Sequence, residues 1–90
     1  MTEENFYYLI CQAIESCTGI EALMVDNHTM FLDFDLVPSE MMSIIYRLQS
    51  LTGILLHPIL FDSVMREDME FGELYQIFTH AAEHRETFNH

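Results

Sequence analysis

Ser39 is the residue of this chain best placed to do chemistry. It stands near the end of the stretch Asp33-Phe34-Asp35-Leu36-Val37-Pro38-Ser39-Glu40, and a helical apolar pattern begins just after it. A serine that follows a long loop and opens a helix offers a hydroxyl for attaching an anionic prosthetic group. A phosphate bonded there meets the unpaired N–H groups and the positive dipole end of the helix. That chemistry belongs to a carrier, and the chain is expected not to be an enzyme.

Other residues offer weaker candidates. His80-Ala81-Ala82-Glu83-His84 matches His-x-x-Glu-His, in which two His bind zinc and Glu acts as base. The spacing puts both imidazoles on one helical face. A catalytic zinc site also needs a third ligand, a cleft and supporting groups, for which 90 residues leave little room. The plainer reading is two surface histidines beside a Glu. His57, before Pro58 in an apolar run, reads as a packed or hydrogen-bonded residue rather than a ligand. Cys11 and Cys17 fall on different faces of one helix and are not expected to pair. Cys11 lies on the apolar face, and Cys17 at the helix end reads as an exposed thiol without a catalytic partner. Tyr7 and Tyr8 are adjacent, so at least one must lie at the edge of the core. The three Gly, at 19, 53 and 72, are isolated and form no phosphate loop.

The elements that must position Ser39 follow from periodicity. Residues 3–17 read as a helix, with Phe6, Leu9, Ile10, Ala13, Ile14 and Cys17 on one face. Thr2 suits its N-cap, Glu3 and Glu4 its positive end, and Gly19 its stop. Residues 18–38 carry no sustained pattern. Their scattered apolar residues (Ile20, Leu23, Val25, Met30, Phe31, Phe34) are expected to pin a long connection to the core, and a loop of this length tends to be functional. A second helix begins near Pro38 or Ser39, with Met41, Met42, Ile44, Ile45, Leu48 and Leu51 on its apolar face and an end at Thr52-Gly53. Residues 54–61 have strand-like composition, but no second strand is evident, so they read as buried loop and short helix. Residues 62–67 read as a short helical turn, and residues 70–85 as the last helix. There Phe71, Leu74, Tyr75, Phe78, Ala81 and Ala82 share a face and Arg85 sits at the negative end. The expectation is an all-α bundle of three to four helices in one domain, 1–85, with a long structured loop between the first two helices and a frayed tail at 86–90.

Composition narrows the partners. Half the residues are apolar, which suffices for a core. Fifteen Asp and Glu stand against three basic residues, all Arg, for a net charge of −12. That charge repels nucleic acid and anionic membranes and favours docking onto basic protein patches. The longest apolar run is too short to span a bilayer. Two Cys in an acidic chain without a signal peptide fit the cytoplasm.

Several local matches in the right order resemble the acyl carrier protein family, which includes the peptidyl carrier domains of modular synthetases. The resemblance covers roughly residues 3–82. Gly19-Ile20 looks like the family's first-helix ending, and Val25 and Phe31 fall where its long loop has two anchors. Asp33-Phe34 looks like the Asp-Leu before the attachment motif. Leu48 through Gly53-Ile54 resembles the end of its second helix, and Met69-Glu70-Phe71-Gly72-Glu73-Leu74 the start of its last. The family's attachment motif is Asp-Ser-Leu, and here the text is Val37-Pro38-Ser39-Glu40. Counting from Gly19 and Phe31 puts Ser39 at the attachment position, while counting back from Leu48 and Gly53 puts Pro38 there. The registers differ by one residue, which places a deletion near the start of the second helix.

The resemblance implies 4'-phosphopantetheine on Ser39, carrying an acyl or aminoacyl thioester in fatty acid, polyketide or nonribosomal peptide biosynthesis. It implies a phosphopantetheinyl transferase and acyl-loading or acyl-processing enzymes with basic patches as partners, docking at Asp33, Asp35, Glu40 and Met41. Family members display acidic residues along the second helix; this chain offers only Glu40 there, with Arg47 of opposite sign. The alternative is a carrier-like domain that has lost the arm and acts by docking alone.

Overall fold

In a computed structural model of the chain, helix α1 spans Glu3–Thr18, α2 Pro38–Thr52, α3 Pro58–Ser63 and α4 Phe71–Phe88, with a 3₁₀ turn at Phe31–Phe34. The structure describes the backbone of residues 1–88 and the side chains of residues 1–84. Among them there is no β-strand, and the protein is a small all-α bundle. The last helix runs past its expected end at 85. Residues 89 and 90 of the expected tail, and the side chain of Arg85, lie outside the described residues.

The two long helices that frame the loop are started and stopped by local chemistry. Thr2 caps α1 by accepting the Asn5 N–H at 3.1 Å, which satisfies one orphan donor of the first turn. At the other end Thr18 Oγ1 donates to the Ile14 carbonyl at 2.6 Å and accepts the Ile20 N–H at 3.1 Å. The same device closes α2: Thr52 Oγ1 donates to Leu48 at 2.7 Å and accepts the Ile54 N–H at 3.2 Å. Gly19 (φ 77°) and Gly53 (φ 72°) take the left-handed turn after each. Thr-Gly-Ile is thus one helix stop used twice.

The core joins α1, α2 and α4. Phe6 meets Phe78 with ring centroids 5.2 Å apart, and Phe31 of the long loop meets Phe71 at 5.2 Å. On α2 the buried residues are Met41, Ile44, Ile45, Leu48 and Gln49. Met42 and Leu51, expected in this face, are exposed. At 100° per residue they lie about 80–100° from the centre of the stripe, at its edges. Gln49 takes an inner place because its Oε1 accepts the Leu56 N–H at 2.7 Å and so fixes the turn into α3. That segment is helical over Pro58–Ser63, so the short helix expected within 54–61 forms and runs into the turn expected at 62–67, but the loop is not buried as expected, since of residues 54–61 only Leu56 is buried. His57 caps the short helix through Nδ1, which accepts the Ile59 N–H at 3.3 Å.

The long loop is pinned by four of the six residues expected and by two others. Phe31 is buried and Val25, Met30 and Phe34 are half-buried, whereas Ile20 and Leu23 are exposed; Ala22 and Leu36 are buried instead. Backbone bonds clasp the loop to residues 67–72. The Leu32 N–H donates to Glu67 (2.8 Å), that of Phe71 to Thr29 (2.8 Å) and that of Gly72 to Asn27 (3.0 Å). Met30 and Glu70 form an isolated antiparallel bridge. Asp26 Oδ1 accepts the N–H groups of His28 (2.9 Å) and Thr29 (3.1 Å), which shapes the tip.

Candidate functional site

The clasped loop delivers the chain to the start of α2. Val37 is the N-cap, Pro38 the first helical residue and Ser39 the second. Pro fits because its fixed φ suits the first turn and its missing N–H would have gone unbonded there. Glu40 folds back, and its Oε1 accepts the Val37 N–H at 3.0 Å. Val has no acceptor to return, so this is half of a capping box. The N–H groups of Glu40 (3.0 Å) and Met41 (3.1 Å) both reach the Val37 carbonyl. Ser39 is therefore the first-turn residue whose N–H is left open. Its side chain is exposed, and among the described residues its hydroxyl makes no hydrogen bond.

The three expected docking carboxylates differ in their duties. Asp33 Oδ2 accepts the Met30 N–H at 2.9 Å and holds the start of the 3₁₀ turn. Glu40 spends one oxygen on Val37. Asp35 is exposed and has left-handed backbone (φ 53°) at the end of that turn, a conformation Asp tolerates better than most residues. Met41 is corrected. It is 5% exposed and belongs to the core, because it shares the stripe of Ile44, Ile45 and Leu48. A side chain so enclosed is no contact for a partner.

Other apolar side chains of this region are exposed. Val37, Met42 and Tyr46 are exposed along the outer flank of α2, and Ile59 is exposed on α3. Tyr46 leans on Phe61 of α3 with ring centroids 4.7 Å apart. Reading Met42 as core concealed this strip. Its signal was the one-turn spacing of Met42 and Tyr46.

No family model matches this chain, and no curated protein or solved structure matches it.

The remaining candidates separate cleanly. The His80 and His84 rings lie 4.5 Å apart on α4, both exposed. Among the described residues no group of three or more His, Cys, Asp or Glu is placed to hold a metal ion. Cys11 and Cys17 are unpaired, and both are half-buried. Burial pushes the Cys11 thiol above its ordinary range. Tyr7 is half-buried and donates to Glu3 at 2.7 Å, and burial together with that carboxylate pushes its hydroxyl up. Tyr8 is the exposed member of the pair. Among the described residues no helix is long and apolar enough to cross a membrane.

Proposed function

We propose that this protein is an acyl-carrier-like domain that bears 4'-phosphopantetheine on Ser39 and presents an acyl or aminoacyl thioester to partner enzymes. The observation that carries this reading is the unbonded, exposed Ser39 hydroxyl in the first turn of α2, at the end of a loop clasped to the α4 start. The order of elements supports it: a long first helix, a pinned loop with one buried Phe, the serine-opened helix, a short third helix and a long last one. The residues present fit the group. Ser39 Oγ is open to solvent, and the Ser39 N–H and the positive end of α2 favour an anion there. Glu40 opposes it, since its carboxylate already sits at the helix end. When bound, the group supplies a thiol that holds the cargo as a thioester.

The rest is recognition by this chain's own residues. Asp35, with the free oxygens of Asp33 and Glu40, offers negative charge to a basic patch. Val37, Met42 and Tyr46 offer apolar contact beside it. A phosphopantetheinyl transferase and acyl-loading or acyl-processing enzymes are the partners of such a surface. Two unpaired thiols suit a cytoplasmic setting. Loading with a fluorescent coenzyme A analogue and a promiscuous transferase, read on a denaturing gel, tests the proposal: the band should label, and Ser39→Ala should not.

A second reading is a docking domain without an arm. Glu40 favours it, because a carboxylate capping Val37 already supplies the negative charge this helix end attracts. Under that reading Ser39→Ala leaves partner binding unchanged, while Asp35→Asn weakens it.

A further inference from the structure

Helix α4 turns one side to solvent. Glu73, Gln76, His80, Glu83 and His84 are all exposed there, away from the buried Leu74, Phe78 and Ala81. One helical turn separates His80 from His84, which sets their Cβ atoms about 5–6 Å apart. The rings come closer than that: their centroids lie 4.5 Å apart, with the planes tilted by 53°. A metal–imidazole bond is about 2.0–2.1 Å long, which puts each ring centroid about 3.2 Å from a shared ion. Two rings at the observed separation of 4.5 Å then subtend an angle of about 90° at that ion. Tetrahedral ligands would hold the centroids about 5.2 Å apart. Right-angled imidazole ligation belongs to square-planar or tetragonal ions, whereas Zn²⁺ sites are tetrahedral.

We propose that His80 and His84 form a bidentate site for a divalent transition-metal ion that takes ligands at right angles, Cu²⁺ or Ni²⁺ rather than Zn²⁺. The helix holds both rings side by side before the ion arrives, so the second bond forms at high effective concentration. Among the described residues no third His, Cys, Asp or Glu joins the pair. Water therefore completes the coordination, and the ion is exchangeable. Glu73 and Gln76 line a groove of about 420 Å³ together with His80 and Leu60. Glu73 stands two turns before His80, about 10 Å along the axis, too far to be a ligand. Its charge, within a chain of net charge −12, draws cations toward the site. The pair shares no residue with the Ser39 surface, so ion binding does not depend on the carrier reading.

The test is equilibrium dialysis of protein without an affinity tag against Cu²⁺, Ni²⁺ and Zn²⁺ in turn. It compares the unaltered chain with His80→Gln, His84→Gln and, as a control on the long loop, His28→Gln. All three histidines are exposed, and melting curves verify the fold. One Cu²⁺ should bind per chain, and Ni²⁺ should bind more tightly than Zn²⁺. Each α4 variant should bind Cu²⁺ at least about tenfold more weakly, because a single ligand forfeits the chelate. His28→Gln should match the unaltered protein. Electron paramagnetic resonance of the Cu²⁺ complex should show two imidazole nitrogens, reduced to one in either α4 variant. Saturating Ni²⁺ should raise the Tm of the unaltered protein and leave that of His84→Gln unchanged. The proposal is overturned by no uptake at about 0.1 mM Cu²⁺, or by a loss in the α4 variants no larger than in His28→Gln. Zn²⁺ binding at least as tight as that of Ni²⁺ overturns it as well, and so do two imidazole nitrogens that survive either α4 substitution.

Discussion

Gly72→Ala tests whether the clasp between the long loop and α4 is as close as the structure shows. A Cβ at position 72 would stand 2.9 Å from Asn27 Cβ and 3.0 Å from the Asn27 carbonyl oxygen. Carbon atoms prefer about 3.5–4.0 Å, so one side must retreat by about half an ångström or more. Asn27 has little freedom to do so. Its carbonyl accepts the Gly72 N–H at 3.0 Å, and the turn held by Asp26 Oδ1 follows it directly. Overpacking of this kind costs about 1–3 kcal/mol. Ala is the better helix former by up to about 1 kcal/mol, an advantage that shrinks in a first turn. The net loss is about 1–2 kcal/mol, which lowers Tm by about 4–16 °C in a domain of this size. Thermal unfolding by circular dichroism measures it. Hydrogen exchange adds the location, since the amides of Phe71 and Gly72 should exchange faster. A Tm equal to or above that of the unaltered protein, with exchange unchanged, would refute the close approach.

Three other outcomes follow from the same structure. Gln49→Leu leaves the buried Leu56 N–H without its 2.7 Å acceptor and should cost about 1–3 kcal/mol in denaturant unfolding. His28 pairs with Glu70 at 2.9 Å, and that hydrogen bond and charge raise its pKa. The stability it adds is therefore full below the unfolded value of about 6.5 and is lost as pH rises through the higher folded value. Unaltered protein should melt above His28→Gln at about pH 5 and level with it at about pH 8, by a small margin because both side chains are solvated. Docking through Asp33, Asp35 and Glu40 should weaken as salt rises from low to physiological concentration, and an affinity that ignores salt in a titration would contradict an electrostatic contact.

Much of the frame was legible because helices write their periodicity and their ends into sequence. Thr2, Gly19, Pro38 and Gly53 punctuate as expected, and the inner faces of α1 and α4 follow the helical repeat. Positions at the edge of a stripe were not legible. Met42 and Gln49 lie on the same edge, and composition favours burying the methionine. The chain buries the glutamine because a backbone N–H at Leu56 needs its oxygen, a requirement visible only once the turn exists. Irregular backbone carries no period, so nothing in the loop's sequence told that Leu23 would face water and Leu36 the core. At the candidate site Pro38 was enough to place Ser39 in the first turn. The demand for capping acceptors explains what Asp33 and Glu40 are doing, and it emerges from turn geometry rather than from charge.

Intact-protein mass spectrometry, after incubation with coenzyme A and a promiscuous phosphopantetheinyl transferase, tests the carrier reading most directly, with Ser39→Ala treated in parallel. The expected result is a single phosphopantetheine adduct on the unaltered chain, located to the peptide containing Ser39 and missing from the variant. An unmodified mass under conditions that fully load a control carrier domain would contradict it, and so would an adduct that survives Ser39→Ala.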